Sequence, residues 1–247
     1  MAALALLLKS YAGDRAYAGR MVESFHLHNA DGLTLHVMVP KSDLDAFAPL
    51  AADDVILHAD EELESHLVNA PVAGLRTGYI NQEIIKLAFW ELGLADNYFT
   101  VDSDALFIRD FGTTDFMRDA TTPYTVLVQD LDLKVQPRYY REHWVGRESR
   151  LRRIQELIGL DDPILRTCHG HQVMSAVVLR SLRDDFLAPR EWDYSDALAE
   201  APLEFSWYCL WLQRTHVIPI HQVEPLVKVF HNEDQHLDHI VGGLTVD

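Results

Sequence analysis

Short apolar runs alternate with amphipathic stretches along this chain, and the alternation predicts strands and helices in turn. The run 2–8 is apolar and reads as a first buried strand. A polar turn follows at 9–14, then Tyr17, Met21 and Phe25 repeat at helical spacing. Residues 33–39 form a second strand closed by Pro40, and 55–57 a third. Between them Ser42-Asp43-Leu44-Asp45 has the form of a capping signature for a short helix through Phe47. An irregular stretch, 61–78, leads into a helix over 79–92, where Ile80, Ile84, Leu87 and Ala88 share a face and Gly93 provides the stop. The next strand, 98–101, runs into Asp102-Ser103-Asp104. Beyond it the pattern predicts a strand at 124–128 ending in Asp130-Leu131-Asp132 and a helix over 138–158. A helical run reaches Leu187 after Cys168-His169-Gly170-His171-Gln172-Val173-Met174, another helix starts at Pro202, and a last strand, 226–232, delivers His231.

Strands alternating with helices predict an α/β fold with a mostly parallel central sheet flanked by helices, whose ligands gather beyond the carboxyl ends of the strands. Tyr11, Asp14 and Arg15 fall at that edge. With 247 residues and 48% hydrophobic content, a single domain over 1–247 buries a full core. A formal charge of -17 argues against nucleic acid or an anionic membrane surface as partner, since both need a basic footprint. Cys168 and Cys209 are too few for a disulfide framework and read as buried thiols of a reducing compartment. No run approaches the length that crosses a bilayer. The expectation is a cytoplasmic protein, with peripheral attachment to the inner face of the membrane left open.

Extended backbone sends successive side chains to opposite faces, so Asp102 and Asp104 share one side and Ser103 takes the other. Two carboxylates at the end of a buried strand are costly unless a positive group meets them, and a hard divalent cation carrying phosphates is the usual answer. Such a triplet is common by chance, and Asp often ends strands. The second triplet, Asp130-Leu131-Asp132, has a bulky middle residue and reads as a loop or strand edge. Gln82 and Lys86, four apart on the helix before the strand, are either a solvated face or a polar face reaching the same ligand. The basic residues of 138–158 read as a salt-bridged surface, and His169 and His171 as pocket or core residues without a zinc set. Glu204 and Tyr208, one turn apart among aromatics, offer a base or a satisfied acid.

The first strand with its polar turn, the pattern Gln82-x-x-x-Lys86-Leu87, the strand 98–101 and Asp102-Ser103-Asp104-Ala105-Leu106-Phe107 together resemble GT-A-type glycosyltransferases of bacterial surface-polysaccharide pathways. The likeness follows most of the chain and is strongest over 78–110. It implies a GT-A-like, Rossmann-like domain with a nucleotide-sugar-binding half over 1–110 and an acceptor-side half over 111–247. It further implies a divalent metal, manganese or magnesium, on Asp102, Asp104 and a late histidine in the place of His231. A UDP-linked sugar donor would meet Lys9, Ser10, Tyr11, Arg15, Gln82, Lys86, Asp102 and Ser103. Glu204 is the matching acid beside a saccharide or glycan acceptor, with Asp104 completing the catalytic pair. His169-Gly170-His171-Gln172 departs from the Asn-Ser-Gly-type segment of such enzymes. Two rival classes remain, a nucleotidyltransferase, which ordinarily carries a Gly-rich basic loop near the first strand, and a non-catalytic nucleotide-sugar or carbohydrate-binding module.

Overall fold

The computed structural model describes residues 2–129, 137, 140, 141, 145–168 and 170–228. A five-stranded sheet forms its centre, built from β1 (Ala5–Lys9), β2 (Leu35–Val39), β3 (Val55–Ala59), β4 (Asn97–Val101) and β6 (Val173–Ser175) in the order β3-β2-β1-β4-β6. Four strands are parallel, and β6 runs antiparallel to β4 with Phe99 opposite Val173. A second pair joins β5 (Tyr124–Val126) to β7 (His221–Val223). The mostly parallel α/β sheet expected from the alternation is therefore present.

Period-2 alternation divides the core. Leu6 and Leu8 of β1 pack with Ala18, Met21, Val22 and Phe25 of α1 (Arg15–His28) on one face. Leu7 turns to the other face, among Ile80, Ile84 and Leu87 of α2 (Thr77–Ala88) and Tyr98. The second half of the chain covers that face with α3 (Val145–Ile158), α4 (Ala176–Ser181), α5 (Tyr194–Glu200) and α6 (Glu204–Thr215). Asp193 and Asp196 cap α5 reciprocally, each carboxylate accepting from the other's backbone N–H at 3.0 and 2.9 Å. Trp207, Tyr208 and Leu212 of α6 are fully buried.

The departures from the sequence pattern are local. The helix expected over 79–92 starts at Thr77 and tightens into a 3₁₀ turn at Phe89–Leu92, which Gly93 ends in the left-handed region at φ 66°. The strand β6 was not expected; it straddles the end of the stretch 168–174 and the start of the predicted helical run. It is three residues long and passes directly into α4, so its apolar residues merge with the helical pattern. Of the last strand expected at 226–232, residues 226–228 form no strand and 229–232 lie outside the described residues; a strand that was not expected, β7, forms between Pro219 and Pro225. Asp43 does not cap its own helix; its carboxylate accepts from Ala12 N at 2.7 Å and ties the turn after β1 to the segment after β2. Cys168 and Cys209 are buried, as expected. Among the described residues no helix is long and apolar enough to cross a membrane.

Candidate active site

Strand order fixes where a ligand can sit. From β1 the chain steps to β2 and β3 on one side, then returns to place β4 on the other, so the carboxyl ends of β1 and β4 flank the crevice where the winding reverses. Ser10 follows β1 and Ser103 follows β4, and Ser103 Oγ donates to Ser10 Oγ at 2.8 Å. The extended alternation expected through 102–104 is corrected: β4 ends at Val101 and a turn follows, closed by Ala105 N donating to Asp102 O at 3.1 Å, and this turn leaves Ser103 buried, Asp102 half-buried and Asp104 exposed.

Two cavities meet at these acids. The smaller, about 420 Å³, is lined by Lys9, Asp14, Tyr17, Gln82, Asp102, Ser103 and Asp104. The larger, about 430 Å³, shares Gln82, Asp102 and Asp104 and continues past Lys86, His171 and Arg147 to Glu204 and Phe205.

Lys86 organises the floor of the larger cavity. The residue is 4% exposed, and its ammonium lies 3.0 Å from Glu204 Oε1 and 3.5 Å from Asp102 Oδ1, and 5.0 Å from the ring centre of Phe205. The solvated-face reading of Lys86 is thereby excluded. Burial alone would lower its pKa; Glu204, then Glu83 and Asp102, outweigh burial and hold it well above the ordinary lysine value. Burial likewise pushes Glu204 up, and Lys86 overcomes it, keeping that carboxyl below its usual range. Glu83, one turn before Lys86, is 3% exposed, and no donor among the described residues reaches its buried Oε2. Burial first, and the adjacent Glu204 charge second, raise its pKa well above the usual value. Tyr208 does not satisfy Glu204; its hydroxyl accepts from Ser175 N at 3.1 Å.

Asp102 is pushed up by burial, but Lys86 and then His171 hold it below the ordinary carboxylate value. Burial pulls His171 below the usual imidazole value against the opposing charge of Asp102. Arg147, in the first turn of α3, donates through Nη2 to Cys168 O at 3.1 Å and Ser206 Oγ at 3.3 Å. Further along α3 the basic residues form the expected salt-bridged surface, with Arg153 bound to Glu156 at 2.9 Å and Glu200 at 2.8 Å.

The residues expected at the nucleotide edge divide. Lys9 lines the smaller cavity, yet its ammonium is held by Asp60 at 3.0 Å. Ser10 is buried beneath the crevice. Tyr11 folds its ring over Gly13, so close that a β-carbon there would clash, and Arg15 turns to Ala46 O at 2.8 Å and to the ring of Phe47. Neither lines these two cavities; Asp14 and Tyr17 take their place. His231, Asp130, Asp132 and His169 lie outside the described residues. Glu83 had no sequence signal beyond its place beside Gln82 and Lys86, because its burial comes from α6, remote in the chain.

A family model described as a family of unknown function (DUF6492) matches residues 2–240. The chain belongs to the DUF6492 family. Among curated proteins none matches the sequence. A solved structure described as the apo form of the bifunctional glycosyltransferase WbbM matches with a TM-score of 0.50, at 11% identity, over 91% of this chain and 39% of that one. At that identity the likeness is one of fold, and this DUF6492 chain spans well under half of that structure's length.

Carboxylate oxygens are donors of the kind a hard divalent cation takes. Asp102 and Asp104 offer carboxylate oxygens at the junction of both cavities, and among the described residues no hydrogen bond or ion pair engages Asp104. No three His, Cys, Asp or Glu side chains among the described residues stand together at ligand spacing. A cation here would complete its shell with water and substrate phosphates, as magnesium-type sites commonly do.

Proposed function

We propose that this protein is a glycosyltransferase that moves a sugar from a nucleotide-sugar donor, UDP-linked, to a saccharide or glycan acceptor in surface-polysaccharide synthesis, with manganese or magnesium on Asp102 and Asp104. One observation carries the reading: Gln82, Asp102 and Asp104 stand between two cavities at the switch point of the sheet. The smaller cavity draws only on residues within 1–110 and suits the nucleotide. The larger joins both halves of the chain and suits the transferred sugar and its acceptor. A divalent cation bound at the carboxylates would supply charge against the diphosphate and the departing nucleotide.

The chain's own residues divide the remaining work. Lys86 keeps Asp102 and Glu204 ionised and fixed, so it acts as a buried counter-ion more than as a phosphate ligand. Glu204, ionised in the larger cavity, takes the acceptor hydroxyl proton if the anomeric centre inverts, and orients the acceptor if configuration is retained. Glu83, its pKa raised beside Glu204, limits the charge that two neighbouring buried carboxyls place in the site.

Incubation with manganese and a panel of nucleotide-sugars and nucleoside triphosphates tests the proposal. Release of nucleoside diphosphate from a nucleotide-sugar is the expected result. Pyrophosphate formed from a triphosphate would establish a nucleotidyltransferase instead, and binding without release a non-catalytic module.

A further inference from the structure

A buried polar atom without a partner costs about 1–3 kcal/mol and calls for an explanation. Among the described residues six side-chain atoms are in that position, one each on Asp60, Glu83, Asn97, Thr125, Arg147 and Arg166. Two of these residues, Glu83 and Arg147, line the larger cavity, and the other four line neither cavity. One orphan in the cavity is Oε2 of a carboxyl and the other is Nε of a guanidinium, which only donates.

The neighbours of both are already engaged. Lys86, one turn beyond Glu83 on α2, places its ammonium between Glu204 and Asp102. Tyr79 also lines the cavity, but its hydroxyl donates to Pro202 O at 3.3 Å and so brings Glu83 no proton. Arg147 fixes its plane by spending Nη2 on Cys168 O and Ser206 Oγ, which leaves Nε over. Glu83 is 3% exposed, so bulk water does not relieve it. The cavity therefore holds one unmet carboxyl oxygen and one unmet donor, on two different helices.

Those demands define a ligand chemistry. A hydroxyl both donates and accepts, so it pairs with Glu83 Oε2 whether or not that carboxyl carries a proton, and another hydroxyl oxygen accepts from Arg147 Nε. An anionic group beside Glu83 would face Glu204 and Asp102 as well, against the single ammonium of Lys86 that those two already share. The matching group is neutral and carries several hydroxyls. We propose that Glu83 and Arg147 select the sugar in the larger cavity, Glu83 Oε2 accepting from or donating to one hydroxyl and Arg147 Nε donating to another oxygen of the same uncharged sugar. The proposal rests on the transferase reading above and deepens it, because a buried polar group left unpaired is what rejects a sugar lacking the hydroxyl.

The test uses the nucleotide-sugar that releases its diphosphate in the panel above, each of its monodeoxy forms, and plain and monodeoxy methyl glycosides as acceptors. Values of kcat/KM are compared among wild type, Glu83→Met and Arg147→Met. In wild type, loss of one particular hydroxyl should cost roughly 100-fold or more, and in Glu83→Met that penalty should fall to about threefold or less while penalties at other positions stay. Arg147→Met should relieve a different position of the same sugar. A relieved position on the donor places the pair at the transferred sugar, and one on the glycoside places it at the acceptor; either supports the proposal. Wild-type values within about threefold across every monodeoxy donor and acceptor, or a penalty that survives both substitutions, overturn it. Should Glu83→Met fail to fold, Glu83→Ala, which adds no bulk and suits a helix, is held to the same outcome. Diphosphate release without a hydroxyl penalty tied to these residues defeats this inference alone, whereas no release from any donor defeats the transferase reading and this inference with it.

Discussion

Lys86 is the residue on which the charges of the crevice depend. Replacing it by Met leaves Glu204 buried without its cation and Asp102 without its neighbour, so Lys86→Met should cost about 3–5 kcal/mol in urea unfolding. A solvated lysine would give about 0.5 kcal/mol or less. Glu204→Gln keeps the shape and removes the negative charge; with acceptor saturating, kcat should fall about 100-fold, and an unchanged rate would remove the base role. A third prediction concerns His36, which lies away from the crevice. Burial, and then His58 at 2.9 Å, lower its pKa to about 4. The unfolded chain takes up that proton below about pH 6.5 while the folded chain resists until about pH 4, so stability is lost as pH falls through that window, by about 3 kcal/mol in all. Asp60, pushed up to about 6 mainly by burial, contributes the opposite slope there. The difference between wild type and His36→Gln in urea midpoints from pH 7 to 4.5 therefore isolates the histidine, and equal slopes would contradict its burial as a neutral ring. Part of this was legible as spacing: Gln82 and Lys86 share a face; Asp102 and Asp104 both line the two cavities, but a turn after β4 puts them there and not the expected alternation. The partners were not, because Lys86 meets Glu204 across 118 positions of chain and only the fold brings them together.

At the scale of elements, periodicity carried most of the reading. β1 to β4 and α2 stand where the alternation put them, since each buries a face whose period the sequence displays. β6 and β7 were missed because three residues are too few to show a period, and their pairing with β4 and β5 supplies what local sequence does not. Gly93 marks the boundary that matters most, ending the turn after α2 and aiming the chain into β4. A β-carbon there meets open space, so Gly93→Ala is penalised through its backbone alone, at φ 66°. The expected cost is about 1–2 kcal/mol, a fall of about 2–8 °C in thermal midpoint. No change in midpoint would mean that the turn does not need the left-handed conformation.

At the scale of the molecule, the sheet determines the site. Reversal of winding between β1 and β4 opens the crevice, Ser10 and Ser103 close its base, and the second half of the chain brings α6 and His171 against it. A net charge of -17 makes that crevice a poor place for a diphosphate unless positive charge is added, and Lys86, the buried cation nearest the acids, is already committed to Glu204 and Asp102. The account therefore depends on a cation at Asp104 and Asp102. The most direct test is nucleoside diphosphate release from a UDP-sugar in the presence of manganese, compared between wild type and Asp104→Ala, with circular dichroism to verify the fold. Metal-dependent release in the wild type and its loss in a folded Asp104→Ala variant is the predicted result; turnover by that variant at the wild-type rate would contradict the account.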